Sequence, residues 1–303
     1  MTMKRHRGYW ALTIAAAALA HGPAVSAQES TRPTVKVITP SDVEPLVRAD
    51  SKGMQNGQAS HRRVVSLPKD GSTRIDVGYN SYKAGYGADA AYAYDKDELC
   101  YIPSGEIEAE SDGVTVIAKP GTFMWRPAGA PTHRTRVLKD AVTICAFGPA
   151  RADSWSHRLP PEKIGQWNGE EADRPRVRFY DYRYIKPLIR PGSAEHQDGR
   201  IIHRRVVSGP KDGAVFIDAS HNIYKAGLTS GPYVYPDNDE VCWIESGAIE
   251  MVNQGVKTIV RAGQFAYRPA GAATDSTRVL EDSVSICFFT PARKDDWSFR
   301  SVP

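Results

Sequence analysis

Short apolar runs alternate with polar turns along most of this chain. Leu99–Ile102, Val114–Ala118 and Val142–Phe147 are separated by turn signals at Ser104-Gly105, Asp112-Gly113, Lys119-Pro120-Gly121 and Pro127-Ala128-Gly129. No segment sustains the apolar period of an amphipathic helix. The pattern predicts an all-β protein of many short strands, a sandwich or a barrel-like jelly roll. The same pattern is then written a second time. His61-Arg62-Arg63-Val64-Val65-Ser66 recurs as His203-Arg204-Arg205-Val206-Val207-Ser208, an offset of 142 residues that holds without a gap to Trp297-Ser298. Residues 61–156 and 203–298 share 52 identities in 96 positions, so the two halves have one fold. A period this long is a whole domain copied once, not a solenoid repeat. The expected organisation is a first domain over 34–156, a Pro-, Gly- and charge-rich linker over 157–175, and a second domain over 176–303.

Residues 1–27 read as a secretory signal. Lys4, Arg5 and Arg7 form a basic start, Tyr9 to Ala20 an apolar stretch, and Val25-Ser26-Ala27 a small-residue cleavage site before Gln28. A cleaved signal implies a periplasmic or secreted protein. It also carries three positive charges and no negative ones, so the formal net charge of +4 becomes +1 in the mature chain. No basic stripe remains to follow a phosphate backbone, so nucleic acid is not an expected partner. No internal apolar run approaches the ~20 residues of a membrane span. The expected partner is a small molecule, with a homodimer as a further expectation.

Two stretches in each half carry a family pattern. In the second half, Gly227, five residues, Tyr233-Val234-Tyr235, four residues, Glu240, six residues and Gly247 are followed by Gly263, five residues and Pro269-Ala270-Gly271. The first half repeats the frame as Glu98, six residues, Gly105, then Gly121, five residues and Pro127-Ala128-Gly129. In these stretches the chain resembles the two-domain cupins, or bicupins. The phrase from Asp97 to Ile102 with Ser104-Gly105 looks most like the branch of ethanolamine-utilization-type cupins and ureidoglycine aminohydrolase. The resemblance covers nearly all of the mature chain. It implies two tandem cupin jelly-roll barrels and a small-molecule cavity in each. Cupin functions span dioxygenases, isomerases, lyases, hydrolases, storage proteins and sensors, so fold does not fix the reaction.

Metal-binding cupins take His-x-His and a Glu from the first motif and a further His from the second, a set that suits Mn, Fe, Ni or Zn. Neither half of this chain has His-x-His. Tyr233 and Tyr235 stand at those places in the second half, whereas Ala91 and Ala93 do so on the ungapped alignment of the first. Either a bulge returns Tyr92 and Tyr94 to the cavity or that cavity has lost them, since a one-residue slip exchanges sheet faces. The third His position falls at Thr132 and Thr274, with His133 and Asp275 one residue later. The residues left to hold a metal are Glu98 with His133, Glu240 with Asp275, and His221, which stands opposite Tyr79. The expected catalytic set is Glu98, Glu240, Tyr233 and Tyr235, acting in proton abstraction and return. Lyase, isomerase or hydrolase chemistry on a small polar or aromatic molecule is the leading reading, metal optional. A non-catalytic ligand-binding or sensing bicupin is the alternative. The inward glutamates, if not catalytic, require neutralisation by Arg126/Arg268 or Lys83/Lys225. Cys100 with Cys145, and Cys242 with Cys287, leave two states open: one disulfide per half, or buried free thiols, the latter slightly preferred.

Overall fold

The computed structural model describes residues 33–48, 51–153, 158–295 and 300–301. The signal and cleavage site expected over residues 1–27 lie outside them. The architecture is all-β. In the first half, one eight-stranded antiparallel sheet runs in the order Ala59–Val65, Asp76–Tyr82, Arg134–Gly148, Asp97–Ser111, Thr122–Arg126 and Arg178–Asp181, with Gly87–Ala88 and Val114–Ala118 paired alongside. Asp97–Ser111 and Arg134–Gly148 are long enough to bend and serve both walls of a barrel. The second half breaks the same two strands, into Asp239–Ser246 with Ala248–Asn253 and Ser276–Val279 with Ser283–Thr290. It therefore forms a six-stranded and a four-stranded sheet. The bend is made at Gly105 and Gly247, whose φ angles are 85° and 81°. A Cβ on Gly105 would lie 2.4 Å from the Ala141 Cα and the Asp140 carbonyl, so only glycine fits there.

The two halves exchange a strand. Lys36–Ile38, at the start of the first repeat, pairs with Phe265–Arg268 of the second barrel, Ile38 opposite Phe265. Arg178–Asp181, its counterpart in the second repeat, pairs with Thr122–Arg126 of the first, Phe179 opposite Met124. Each exchanged strand covers an edge that would otherwise expose unpaired backbone groups.

Period-two alternation then sorts the side chains. On Asp97–Ser111, Leu99 and Tyr101 turn away from the barrel interior, while Glu98 and Cys100 line its cavity. Leu99, Tyr101, Phe123, Trp125 and Ile144 of one half join Val241, Trp243, Phe265, Tyr267 and Ile286 of the other in a single buried cluster. The main hydrophobic core thus lies between the barrels, and smaller apolar clusters around Met124 and Phe147 and around Ile244 and Met251 share the barrel interiors with polar groups and space. Polar contacts cross the same interface: Tyr101 donates to Glu245 at 2.7 Å and Tyr180 to Asp212 at 3.0 Å. Among the described residues, no helix is long and apolar enough to cross a membrane.

Phe265 is fully buried in the shared core. Phe265→Ala is expected to cost about 3–5 kcal/mol. Because both barrels use this core, fluorescence and circular dichroism in a urea titration should lose both halves in one transition.

Candidate functional site

Each barrel is built around a buried ion pair. Glu98 sits directly across from Arg126 in the sheet, and its carboxylate meets the Arg126 Nη1; Glu240 and Arg268 repeat the arrangement. All four side chains are almost fully excluded from solvent. The guanidinium is fixed from two further sides. Arg126 Nε donates to Thr132 Oγ1 at 2.8 Å and its Nη2 to the Tyr92 hydroxyl at 3.2 Å. In the second barrel, Arg268 donates to Thr274 at 2.9 Å and to Tyr233 at 3.0 Å. Thr132 and Thr274 are the positions where the resemblance places the third metal-binding histidine.

Tyr92 and Tyr94 both line the first cavity, so the loop before Asp97 is one residue shorter than its counterpart and restores the inward face. Tyr92 bridges to Thr132 just as Tyr233 bridges to Thr274. The cysteines pair as Cys100–Cys145 and Cys242–Cys287, one disulfide in each cavity wall. The slightly preferred free-thiol state is thereby corrected: each pair occupies directly opposed positions on neighbouring strands, a register the sequence does not reveal. Lys83 and Lys225 stay at the surface, paired with Asp140 and Asp282 at 2.8 and 2.7 Å.

At the same level of each barrel, across Phe147 or Phe289 from the glutamate, a second acidic residue gathers arginines. Asp76 holds Arg63 and, at 2.5 Å, Arg151; Asp218 holds Arg205 at 3.4 Å and Arg293 at 2.7 Å. The first cavity is about 330 Å³ and the second about 160 Å³. Tyr82, Tyr92 and Tyr94 line the first; Tyr224, Tyr233 and Tyr235 line the second. Trp125, Trp243 and Tyr267 belong to the core between the barrels, with Tyr79 packed against it.

Three expected metal ligands stand elsewhere. His133 lies outside the cavity lining, its Nδ1 accepting from the Asp112 N–H at 3.2 Å. Asp275, at the matching place, is exposed and accepts from the Gly255 N–H at 2.9 Å. Both follow an inward threonine by one residue, which puts them on the opposite face. His221 points between the barrels, stacked on Tyr182 with ring centroids 3.6 Å apart. Neither cavity therefore offers the donor set of a cupin metal. The one glutamate is taken by a guanidinium, a threonine binding that guanidinium replaces a histidine, and the sulfurs are oxidised. Arg126, Arg268, Thr132 and Thr274 form the centre instead. The presence of Arg126-Pro127-Ala128-Gly129 and Arg268-Pro269-Ala270-Gly271 at one offset is the sequence signal that marks the arginines.

Several buried tyrosines and histidines are held in their neutral forms. Burial pushes the Tyr94 phenol up, and the Tyr235 phenol up to about 12. His61 is lowered to about 4 by burial and by the Arg151 and Arg158 charges. Burial also lowers His203 and His221 to about 4.

Two tandem barrels with these features are a bicupin fold. No protein-family model matches the chain, and no curated protein matches it in sequence. Among solved structures it is similar to Bacillus subtilis oxalate decarboxylase at pH 4.6, with a TM-score of 0.61 and 14% identity over 88% of this chain and 78% of that one. A structure describing the substrate binding mode of oxalate decarboxylase gives a TM-score of 0.60 at 15% identity over 88% of this chain and 79% of that one. A structure concerned with the Mn(II) centres of the Bacillus subtilis enzyme gives 0.60 at 14% identity over the same shares. At these identities the likeness is one of fold.

Breaking the ion pair from one side leaves a buried charge without compensation. Glu98→Gln is expected to destabilise by about 3–5 kcal/mol, and a Glu98→Gln, Arg126→Met double variant to recover most of it, as read from urea midpoints. The histidines give a pH test. Their folded pKa near 4 lies below the ordinary 6.5, so the unfolded chain binds more protons between those values. Their contribution is complete above pH 6.5 and is lost as pH falls toward 4. Thermal midpoints across that window should fall less steeply for His221→Phe than for the parent protein.

Proposed function

We propose that this is an exported bicupin that binds a small organic molecule inside a barrel, chiefly the first, with an internal arginine where the fold's metal is otherwise held. The observation that carries the reading is an open cavity of about 330 Å³ centred on the Glu98–Arg126 pair. Ligand pockets begin at about this size and combine apolar walls with a few fixed polar groups. Here Tyr82, Tyr94, Met124 and Phe147 supply the walls, and Arg126, Asn80 and Thr143 the polar points. Asn80 and Thr143 are bonded to each other at 3.1 Å, so these groups are already positioned before a ligand arrives. Export is supported by the signal pattern of residues 1–27 and by two disulfides, which persist in oxidising compartments.

Glu98 serves in this reading as counter-ion, because its carboxylate is committed to Arg126 and not free to take a proton from substrate. Turnover of the bound molecule, as a lyase, isomerase or hydrolase, is the second reading. One observation favours it: the Tyr92 hydroxyl accepts from Arg126, which leaves its own proton to point at a ligand. The Tyr233 hydroxyl likewise accepts from Arg268.

Metal analysis of the purified mature protein is expected to give manganese, iron, nickel and zinc far below one per chain, and chelation to leave the thermal midpoint unchanged. A thermal-shift screen of sugars, phenols and small acids should find a stabilising ligand. At about one hundred times its Kd such a ligand adds roughly 2.7 kcal/mol. Proton NMR of the mixture then separates binding from turnover. A stoichiometric metal that Glu98→Gln removes would sink the arginine-centred reading.

A further inference from the structure

Six arginines and one carboxylate, that of Glu98, are among the residues lining the first cavity. Arg126 is matched by Glu98, and Arg63 and Arg151 share the single carboxylate of Asp76. Arg158 also lines the cavity, and no ion pair to a carboxylate is formed by it among the described residues. It is exposed, which places it at the mouth. Its guanidinium lies 5.3 Å from the centroid of the Tyr92 ring, and that of Arg126 lies 5.1 Å from the same centroid. Two guanidinium groups therefore flank one phenol, the inner one held by Glu98 and Thr132, the outer one turned toward entering molecules. Nearby His61 is lowered by burial first, and the Arg151 and Arg158 charges act in the same direction.

Part of the cavity wall is flat and apolar. Tyr82 and Tyr86 stack with centroids 5.5 Å apart and planes 15° from parallel, and Met54, Ile107 and Val137 continue the surface. We infer that the first barrel takes a small carboxylate with a flat apolar body, of the size of a monocyclic aromatic acid, its carboxylate seated between Arg126 and Arg158 beside Tyr92. The inference rests on the small-molecule reading above and adds the charge and shape of the ligand. A guanidinium presents paired donors that match a carboxylate. A flat ring suits the tyrosine wall through offset or edge contacts.

The second barrel is built differently at this end. His196 stands at the position of Met54 and stacks on His203 at 5.1 Å, and the cavity there stops at His203. It has about 160 Å³, roughly half the space of the first. The duplication has thus left one roomy, cationic cavity and one narrower one, and the ligand is assigned to the former.

Isothermal titration of the full mature protein with benzoate and with benzamide, its neutral counterpart of the same shape, tests the assignment. Benzoate should bind at least about tenfold more tightly, a difference in keeping with one charged hydrogen-bonded contact. Arg158→Gln should weaken benzoate by about tenfold and leave benzamide unchanged, while Arg158→Lys, which keeps the charge but not the paired donors, recovers only part of the preference. Circular dichroism and the thermal midpoint check that both variants fold, which the exposed position of Arg158 favours. Equal binding of the two probes, or benzoate binding indifferent to Arg158→Gln, overturns the carboxylate assignment. So does binding of neutral sugars or phenols without benzoate, and these outcomes leave the small-molecule reading standing. Failure of every probe and every compound of the screen removes both.

Discussion

A carboxylate placed inside a barrel must be neutralised, and most of this structure follows from how that is done. Taking an ionised carboxylate out of water is costly unless an opposite charge and hydrogen bonds compensate. In the cupin frame that the resemblance implies, a divalent ion provides the compensation, with histidines sharing the ion. Here a neighbouring strand delivers a guanidinium to Glu98 and to Glu240. A guanidinium is a directional cation with five donors. Having met the glutamate, it still requires acceptors on its other sides, and Thr132 with Tyr92, or Thr274 with Tyr233, supply them. The loss of His-x-His and the appearance of threonine and tyrosine are thus one change. A fixed cation of this kind cannot be lost by chelation, and it presents hydrogen-bond donors where a metal would present open coordination positions.

The location of the core follows from the same constraint. With charges and disulfides lining the interiors, the strands turn their large apolar side chains outward, and the two barrels bury them against each other. Exchange of Lys36–Ile38 and Arg178–Asp181 adds backbone hydrogen bonds to that apolar contact. The interface thereby carries the stability that a filled barrel interior supplies in other β-barrels. It frees the cavities to stay partly hollow, and the disulfides, joining adjacent strands, brace walls that have little packed behind them.

Much of the fold was legible in the residues because local rules agree with one another. The turn at Gly105 needs glycine, the alternation of Glu98, Leu99, Cys100 and Tyr101 fixes two faces, and the copy at an offset of 142 confirms both. The candidate site was legible only in part. Glu98, Glu240, Tyr233 and Tyr235 do reach the cavities, and Arg126 and Arg268 stood among the groups able to neutralise the glutamates. His133, Asp275 and His221 do not reach them. A slip of one residue reverses a side chain, and the register that decides it is set by partners far along the chain. Arg158 recurs as Arg300 at the offset of 142, yet an arginine in a linker reads as solvated until the fold brings it beside Tyr92.

Sequence alone determined the all-β class, the duplication and the glutamate at the heart of each copy, since these depend on periodicity and identity along the chain. It also determined that the usual metal ligands are missing. Only the tertiary structure decided which cation meets each glutamate, that the cysteines pair, and that the repeats exchange a strand. It decided, too, that two halves sharing 52 of 96 positions enclose unequal cavities, with Met54 in one and His196 at the matching place in the other. Each of these turns on distances between residues remote in sequence, and pairing across strands is where such distances are set.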